Sequence, residues 1–383
     1  MKPKLIIFGA IAAAFFISSV ARGAEIRIGV AAALTGNAAQ YGVPIRKGFD
    51  LAVGEINGSG GINGSRLELV IEDEQGKKEE AINVFRKLIF QDRVLMLFGP
   101  TLSNSAQASD PVAQAAKTVV FGTSNTADGI TSIGDYVFRN SVTERDILPF
   151  TLKIAAQRTG FKKVAVLYGN DDIFTKSGYD NFKKALQDLK IPVTATETFA
   201  KGDVSFKPQL TKIKASNPEA IVLSALVAEG GPIMVQARQL GIELPFIGGN
   251  GMNSPRVFEL AKDSSDNLWV GSPWSVESPT PENKRFIAAY QKAYGAMPDQ
   301  FAAQAYDAMY IAAQALKKVK LSGKLDTDRK ALRDALPATE WNGSTGPFKF
   351  RQVVANTGKP AGYDAVQSAI VMTTKANRYV IQK

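Results

Sequence analysis

The chain has 383 residues, 45% hydrophobic and 21% charged, with a formal net charge of +10 and neither cysteine nor histidine. That composition fits a soluble globular protein long enough for two cored domains. It excludes disulfides, thiol chemistry, a lipid-modified cysteine, a Ser-His-Asp triad and an ordinary zinc site. The basic residues are scattered singly or in pairs such as Lys162-Lys163 and Lys317-Lys318. Nucleic-acid binders gather such charge on one face or arm, so no nucleic-acid partner is expected.

The first stretch, residues 1–24, carries Lys2 and Lys4, an apolar run from Leu5 to Val20, and then small residues. This is the three-part pattern of a secretory signal peptide, and the run is shorter than the roughly 20 residues of a membrane span. Cleavage is expected between residues 21 and 24. An exported chain without a lipid anchor points to a periplasm.

From Glu25 the chain alternates between strands and helices. "EIRIGVAAAL" reads as a buried strand, the loop "TGNAAQYG" follows, and a helix is predicted from Pro44 to Ile56. "RLELVIED", "RVLMLFGP" and "TVVFGT" read as further strands with amphipathic helices between them. After residues 140–146 the pattern restarts with strands "KKVAVLYG", "PVTATETF", "EAIVLSAL" and "LPFIGG", again interleaved with helices. Short loops between alternating elements are the mark of open parallel α/β sheets. Three consecutive helices then break the pattern before the strands "GPFKF" and "QSAIVMT". The expected fold is α/β, with two similar open parallel-sheet lobes joined by three crossovers. The lobes are expected to comprise residues 25–143 plus 276–351, and 144–275 plus 352–383.

Ligands of such sheets sit outside the carboxyl ends of the strands. Ser103 follows the third strand, where it reads either as a helix N-cap or as an anion ligand beside free helix amides. Ser124, Asn125 and Thr126 follow the fourth strand, either as a bonded turn or as a second set of donors. Tyr41 and Phe174 each fall in a loop after a strand, where an aromatic can wall a pocket. Asp171 and Asp172 read as turn formers. No phosphate-binding glycine motif and no catalytic constellation stands out, so no enzyme activity, cofactor or metal is expected.

The segments "AALTGNAAQYG", "GEINGSGGINGSRLELVIEDEQ", "FGPTLSNSAQASDP", "VAVLYGNDD" and "FAAQAYDAMYIAAQAL" resemble the type I periplasmic binding proteins, most closely the leucine/isoleucine/valine branch that serves ABC importers. The resemblance covers the chain from Glu25 onward. It implies two lobes that trap a small ligand on closing, a monomer, and a partnership with permease subunits and their ATPase. It places the ligand carboxylate on Ser103 and on the Ser124–Thr126 loop, with Tyr41 and Phe174 around the side-chain pocket. A tyrosine and a glutamate that hold the α-ammonium in that branch correspond here to Leu226 and Asn250. A small carboxylate without an α-amine, such as an aromatic or branched keto or hydroxy acid, is therefore expected; the alternatives are an amino acid or a sensing receptor of the same fold.

Overall fold

The computed structural model describes residues 25–355 and 357–382; the stretch expected to be a signal peptide lies outside them. The first lobe opens with β1 (Glu25–Ala32), α1 (Ala39–Gly58), β2 (Arg66–Asp73), α2 (Lys78–Arg86), β3 (Met96–Phe98), α3 (Ser103–Ala115), β4 (Val119–Gly122) and β5 (Val137–Arg139). The second lobe follows with α4 (Glu144–Thr159), β6 (Val164–Gly169), α5 (Ile173–Asp188), β7 (Val193–Phe199), α6 (Lys207–Ala215), β8 (Ala220–Ser224), α7 (Val227–Gln239), β9 (Phe246–Gly248), α8 (Arg256–Ala261) and β10 (Leu268–Ser272). The chain returns to the first lobe with α9 (Pro281–Tyr294), α10 (Gln300–Lys317), α11 (Leu325–Ala335), β11 (Trp341–Gly343), β12 (Gly346–Val354) and β13 (Pro360–Gln367). It ends on the second lobe with β14 (Ile370–Thr374) and β15 (Tyr379–Ile381).

The strand orders are β11-β12-β13-β5-β4-β3-β1-β2 and β15-β14-β10-β9-β8-β6-β7. The parallel part of each sheet runs in the same 2-1-3-4-5 sense, counted from its own first strand, so each order reverses beside that first strand. The crevice for a ligand opens at this reversal. Parallel strands covered by helices on both faces need continuous apolar runs. Val30, Phe98 and Phe121 in one lobe, and Leu167, Leu223 and Phe246 in the other, are accordingly buried. Each such side chain contributes roughly 1.5–3 kcal/mol on burial.

The third crossover departs from the expected boundary. Residues after 351 do not leave the first lobe, because β13 pairs antiparallel with β12 and parallel with β5 at Tyr363 and Phe138. The crossing comes between Gln367 and Ile370. Pro360, Gly362 and Asp364 are strand-poor residue types and hide this strand from a pattern reading. The buried ion pair between Arg139 Nε and Asp364 Oδ1, 2.7 Å long, ties β13 to β5.

α10 lies along α1, and Gly48 makes the close approach possible: a Cβ there would stand 2.3 Å from the Ala302 carbonyl oxygen. This packing holds the start of α10, with Gln300 and Phe301, over the crevice. Among the described residues, no helix is long and apolar enough to cross a membrane.

Candidate functional site

A cavity of about 20 Å³ lies between the lobes at the two strand reversals. Its first-lobe wall is Tyr41, Thr101, Leu102, Ser103, Ser124 and Phe301; its second-lobe wall is Asp172, Phe174, Leu226, Asn250 and Gly251. A larger groove of about 780 Å³ beside Trp341 and Lys349 opens toward the far end of α10. That groove lies away from the strand carboxyl ends, so the interlobe cavity is the candidate site.

Six of the eight sequence-predicted residues line this cavity: Tyr41, Ser103, Ser124, Phe174, Leu226 and Asn250. Asn125 and Thr126 do not. Asn125 Nδ2 donates to the Pro100 carbonyl at 3.2 Å, and Thr126 Oγ1 donates to Glu144 Oε1 at 3.1 Å. The loop is a bonded turn that also presents Ser124, whose own hydroxyl donates to the Thr101 carbonyl at 2.7 Å. Arg139 Nη1 and the Ser141 hydroxyl both donate to the Asn125 carbonyl, which locks the turn to β5.

Ser103 is not the helix cap. Leu102 occupies the N-cap position of α3, and Ser103 is the first residue within the helix. Its hydroxyl oxygen accepts from the Thr126 and Ala127 amides, each at 3.2 Å. Tyr41 and Phe174 are likewise in the first turns of α1 and α5 rather than in loops. α1 begins before Pro44 because the short turn at Gly36–Ala38 leads straight into it.

The lobes meet through direct hydrogen bonds. Tyr41 Oη donates to the Gly251 carbonyl at 2.7 Å and accepts from the Val227 amide at 2.9 Å. Burial raises the Tyr41 pKa, so the phenol stays protonated. Asn104 Nδ2 donates to Asp172 Oδ2, and the Ile173 amide donates to Asn104 Oδ1 at 2.7 Å. Gly251 fits its turn into this contact: a Cβ there would meet the Ala225 carbonyl oxygen at 2.6 Å and Phe174 at 2.9 Å.

Asp172 is more than a turn former. It caps α5 by accepting from the Thr175 amide at 3.1 Å, and it also faces the cavity. Burial raises its pKa, opposed by its amide donors and by Lys201. Glu229 stands behind it, buried, with its own pKa raised by burial and an oxygen accepting from the Gly202 amide at 3.3 Å. Asp171 is exposed and accepts from the Lys201 amide. Phe301, which the sequence reading missed, had one available signal: Asp299 just before it is an N-cap residue and fixes the helix start by accepting from the Ala302 amide at 2.9 Å.

Glu144 lies beneath the site, at the first crossover. It is fully buried, and burial raises its pKa to about 7. Its Oε1 accepts from Thr126 Oγ1 in one lobe and from the Asn250 amide, at 3.1 Å, in the other.

A family model described as periplasmic binding protein matches residues 25–370. The chain belongs to that family. It is a solute-binding protein of the ABC-transporter kind and not an enzyme. It is 29% identical over 345 residues, 90% of both chains, to the leucine-, isoleucine-, valine-, threonine- and alanine-binding protein of Pseudomonas aeruginosa. Among solved structures, the branched-chain amino acid transporter substrate-binding protein LivJ of Streptococcus pneumoniae, in complex with isoleucine, superposes with a TM-score of 0.83 at 29% identity. The match covers 94% of this chain and 100% of that one. An R. palustris solute-binding protein in complex with benzoate gives a TM-score of 0.80 at 23% identity, over 94% and 95% of the two chains, and shows the shared fold. In this periplasmic binding protein the cavity falls where the two lobes close on each other, and its walls come from both.

Proposed function

We propose that this periplasmic binding protein is exported to the periplasm and captures a small carboxylate with an apolar body and no α-amine, for delivery to an ABC importer permease. The observation that carries this reading is the pairing of walls. The Ser103 hydroxyl, whose oxygen accepts two amides and whose proton can donate to a ligand, lies at the N-terminus of α3 on one side, beside Ser124, whose proton goes to the Thr101 carbonyl; Leu226 with the uncharged Asn250 lies on the other. The α3 terminus favours an anion through its free amides and its dipole. Tyr41, Leu102, Phe174, Leu226 and Phe301 supply the apolar enclosure. A cavity of about 20 Å³ is room for roughly one water. A ligand of this class therefore enters with the lobes parted, and enclosing it requires the two walls to stand farther apart than they do here.

A second reading, an amino acid, is favoured by Asp172, whose carboxyl faces the same cavity and could receive an ammonium group. Against it, Asp172 already serves as the cap of α5 and as the acceptor for Asn104. A thermal-shift screen of the purified protein against proteinogenic amino acids and against aromatic and branched 2-oxo and 2-hydroxy acids tests the choice. Stabilisation by acids of the second group supports the reading; stabilisation confined to amino acids overturns it.

A further inference from the structure

Asn250 is buried on the cavity wall, and an amide presents either a donor or an acceptor according to which way it is turned. Two side-chain contacts fix its direction here. One terminal atom stands 3.4 Å from the Ser124 carbonyl oxygen, which can only accept, so that atom is the amide nitrogen Nδ2. The oxygen Oδ1 then faces Gln300, whose Nε2 donates to it at 2.6 Å. Gln300 is itself oriented, because its Oε1 receives Asn253 Nδ2 at 2.5 Å; the Ser272 hydroxyl, 3.0 Å away, has the Trp274 carbonyl closer, at 2.6 Å. Gln300 is only 2% exposed, and Asp299, the cap of α10, sets its backbone.

Asn250, Asn253 and Ser272 belong to the second lobe, whereas Gln300 begins α10 of the first. The relay from Asn253 through Gln300 to Asn250 is complete only when the lobes are closed. We infer that Gln300 is a positioning residue which, on closure, holds Asn250 as a hydrogen-bond donor toward the ligand, so that the ligand's second polar atom is an acceptor: the oxo group of a 2-oxo acid rather than a hydroxyl or an ammonium. This rests on the proposed capture of a carboxylate without an amine and narrows it. A hydroxyl placed against Nδ2 must find another acceptor for its own proton or lose a buried hydrogen bond, and an ammonium group has no lone pair to offer.

The test is calorimetric titration of the full mature chain with 4-methyl-2-oxopentanoate and with 2-hydroxy-4-methylpentanoate, on the wild type, Gln300→Met, Gln300→Leu and Asn250→Asp, with thermal melts of each. The wild type is expected to favour the oxo acid at least fivefold, about 1 kcal/mol. In both Gln300 variants the preference should shrink, because only the long 3.4 Å contact with the Ser124 carbonyl is then left to hold Asn250. In Asn250→Asp the donor is gone and the preference should vanish or invert. Equal weakening of both acids in the Gln300 variants would make Gln300 a structural residue only and overturn the inference. An unchanged preference in Asn250→Asp, which removes the donor while still offering Gln300 an oxygen to donate to, would overturn it as well. A wild type that binds both acids equally would remove the inference while leaving the proposed function standing. Tight binding of leucine with neither acid bound would remove both.

Discussion

Tyr41 of the first lobe and Gly251 of the second are joined by a 2.7 Å hydrogen bond, and the same phenol oxygen accepts the Val227 amide. One hydroxyl thus satisfies a carbonyl and an amide that the closing lobes take out of water. Tyr41→Phe leaves both unpartnered in the closed form alone. Ligand affinity should fall by roughly 1–3 kcal/mol. Small-angle scattering at fixed ligand concentration should show a smaller closed fraction. Unchanged affinity would mean that the lobes close without this contact.

Ser103→Ala removes the acceptor of the Thr126 and Ala127 amides as well as a cavity hydroxyl. Binding of a carboxylate is expected to weaken by roughly 1–3 kcal/mol, with a smaller loss of stability from the loosened loop. Calorimetry and a denaturant melt on the same variant separate the two effects. A large stability loss with full affinity would assign Ser103 to the loop alone.

Much of this arrangement is legible in the sequence, because strand ends in a parallel sheet fall at predictable places. Ser103, Ser124, Leu226 and Asn250 each lie just beyond a recognisable apolar run. What is not legible depends on direction rather than position. Asn125 and Thr126 sit in the expected loop, yet their side chains find partners in Pro100 and Glu144 and turn from the cavity. Asp172 reads as a local turn former because its capping role is local, while its second face is supplied by the opposite lobe. Phe301 and Gln300 reach the site through the packing of α10 on α1, which no local pattern encodes. The return of β13 to the first sheet depends on its pairing with β5, across more than two hundred intervening residues.

Arg139 holds the same loop from below. Its guanidinium pairs with Asp364 and donates to the Asn125 and Ala127 carbonyls. Arg139→Met leaves a buried carboxylate and two buried carbonyls without it, so stability should drop by about 3–5 kcal/mol. A urea titration reads this directly. A drop below about 1 kcal/mol would show that the pair contributes no more than its hydrophobic replacement.

Glu144 sets a pH dependence. Burial raises its pKa to about 7, above the ordinary glutamate value, so the folded protein holds its proton more tightly than the unfolded chain. The contribution is therefore complete below the unfolded value of about 4.3 and is lost as pH rises through about 7. Asp299, raised by burial to about 7, adds the same sense of change in both the wild type and a Glu144 variant. Glu144→Gln should thus reduce, without abolishing, the fall in melting temperature between pH 5 and pH 8. Identical pH profiles for the two proteins would exclude Glu144 as a source.

The most direct test of the central claim is a pair of calorimetric titrations on the wild-type protein, with leucine and with 4-methyl-2-oxopentanoate, which differ only in carrying an amine or an oxo group beside the carboxylate. With Leu226 and Asn250 on the second-lobe wall and Asp172 engaged as a helix cap, the oxo acid should bind at least tenfold more tightly, about 1.4 kcal/mol. Leucine binding as tightly as the oxo acid, or more tightly, would contradict the account and make Asp172 the ammonium ligand.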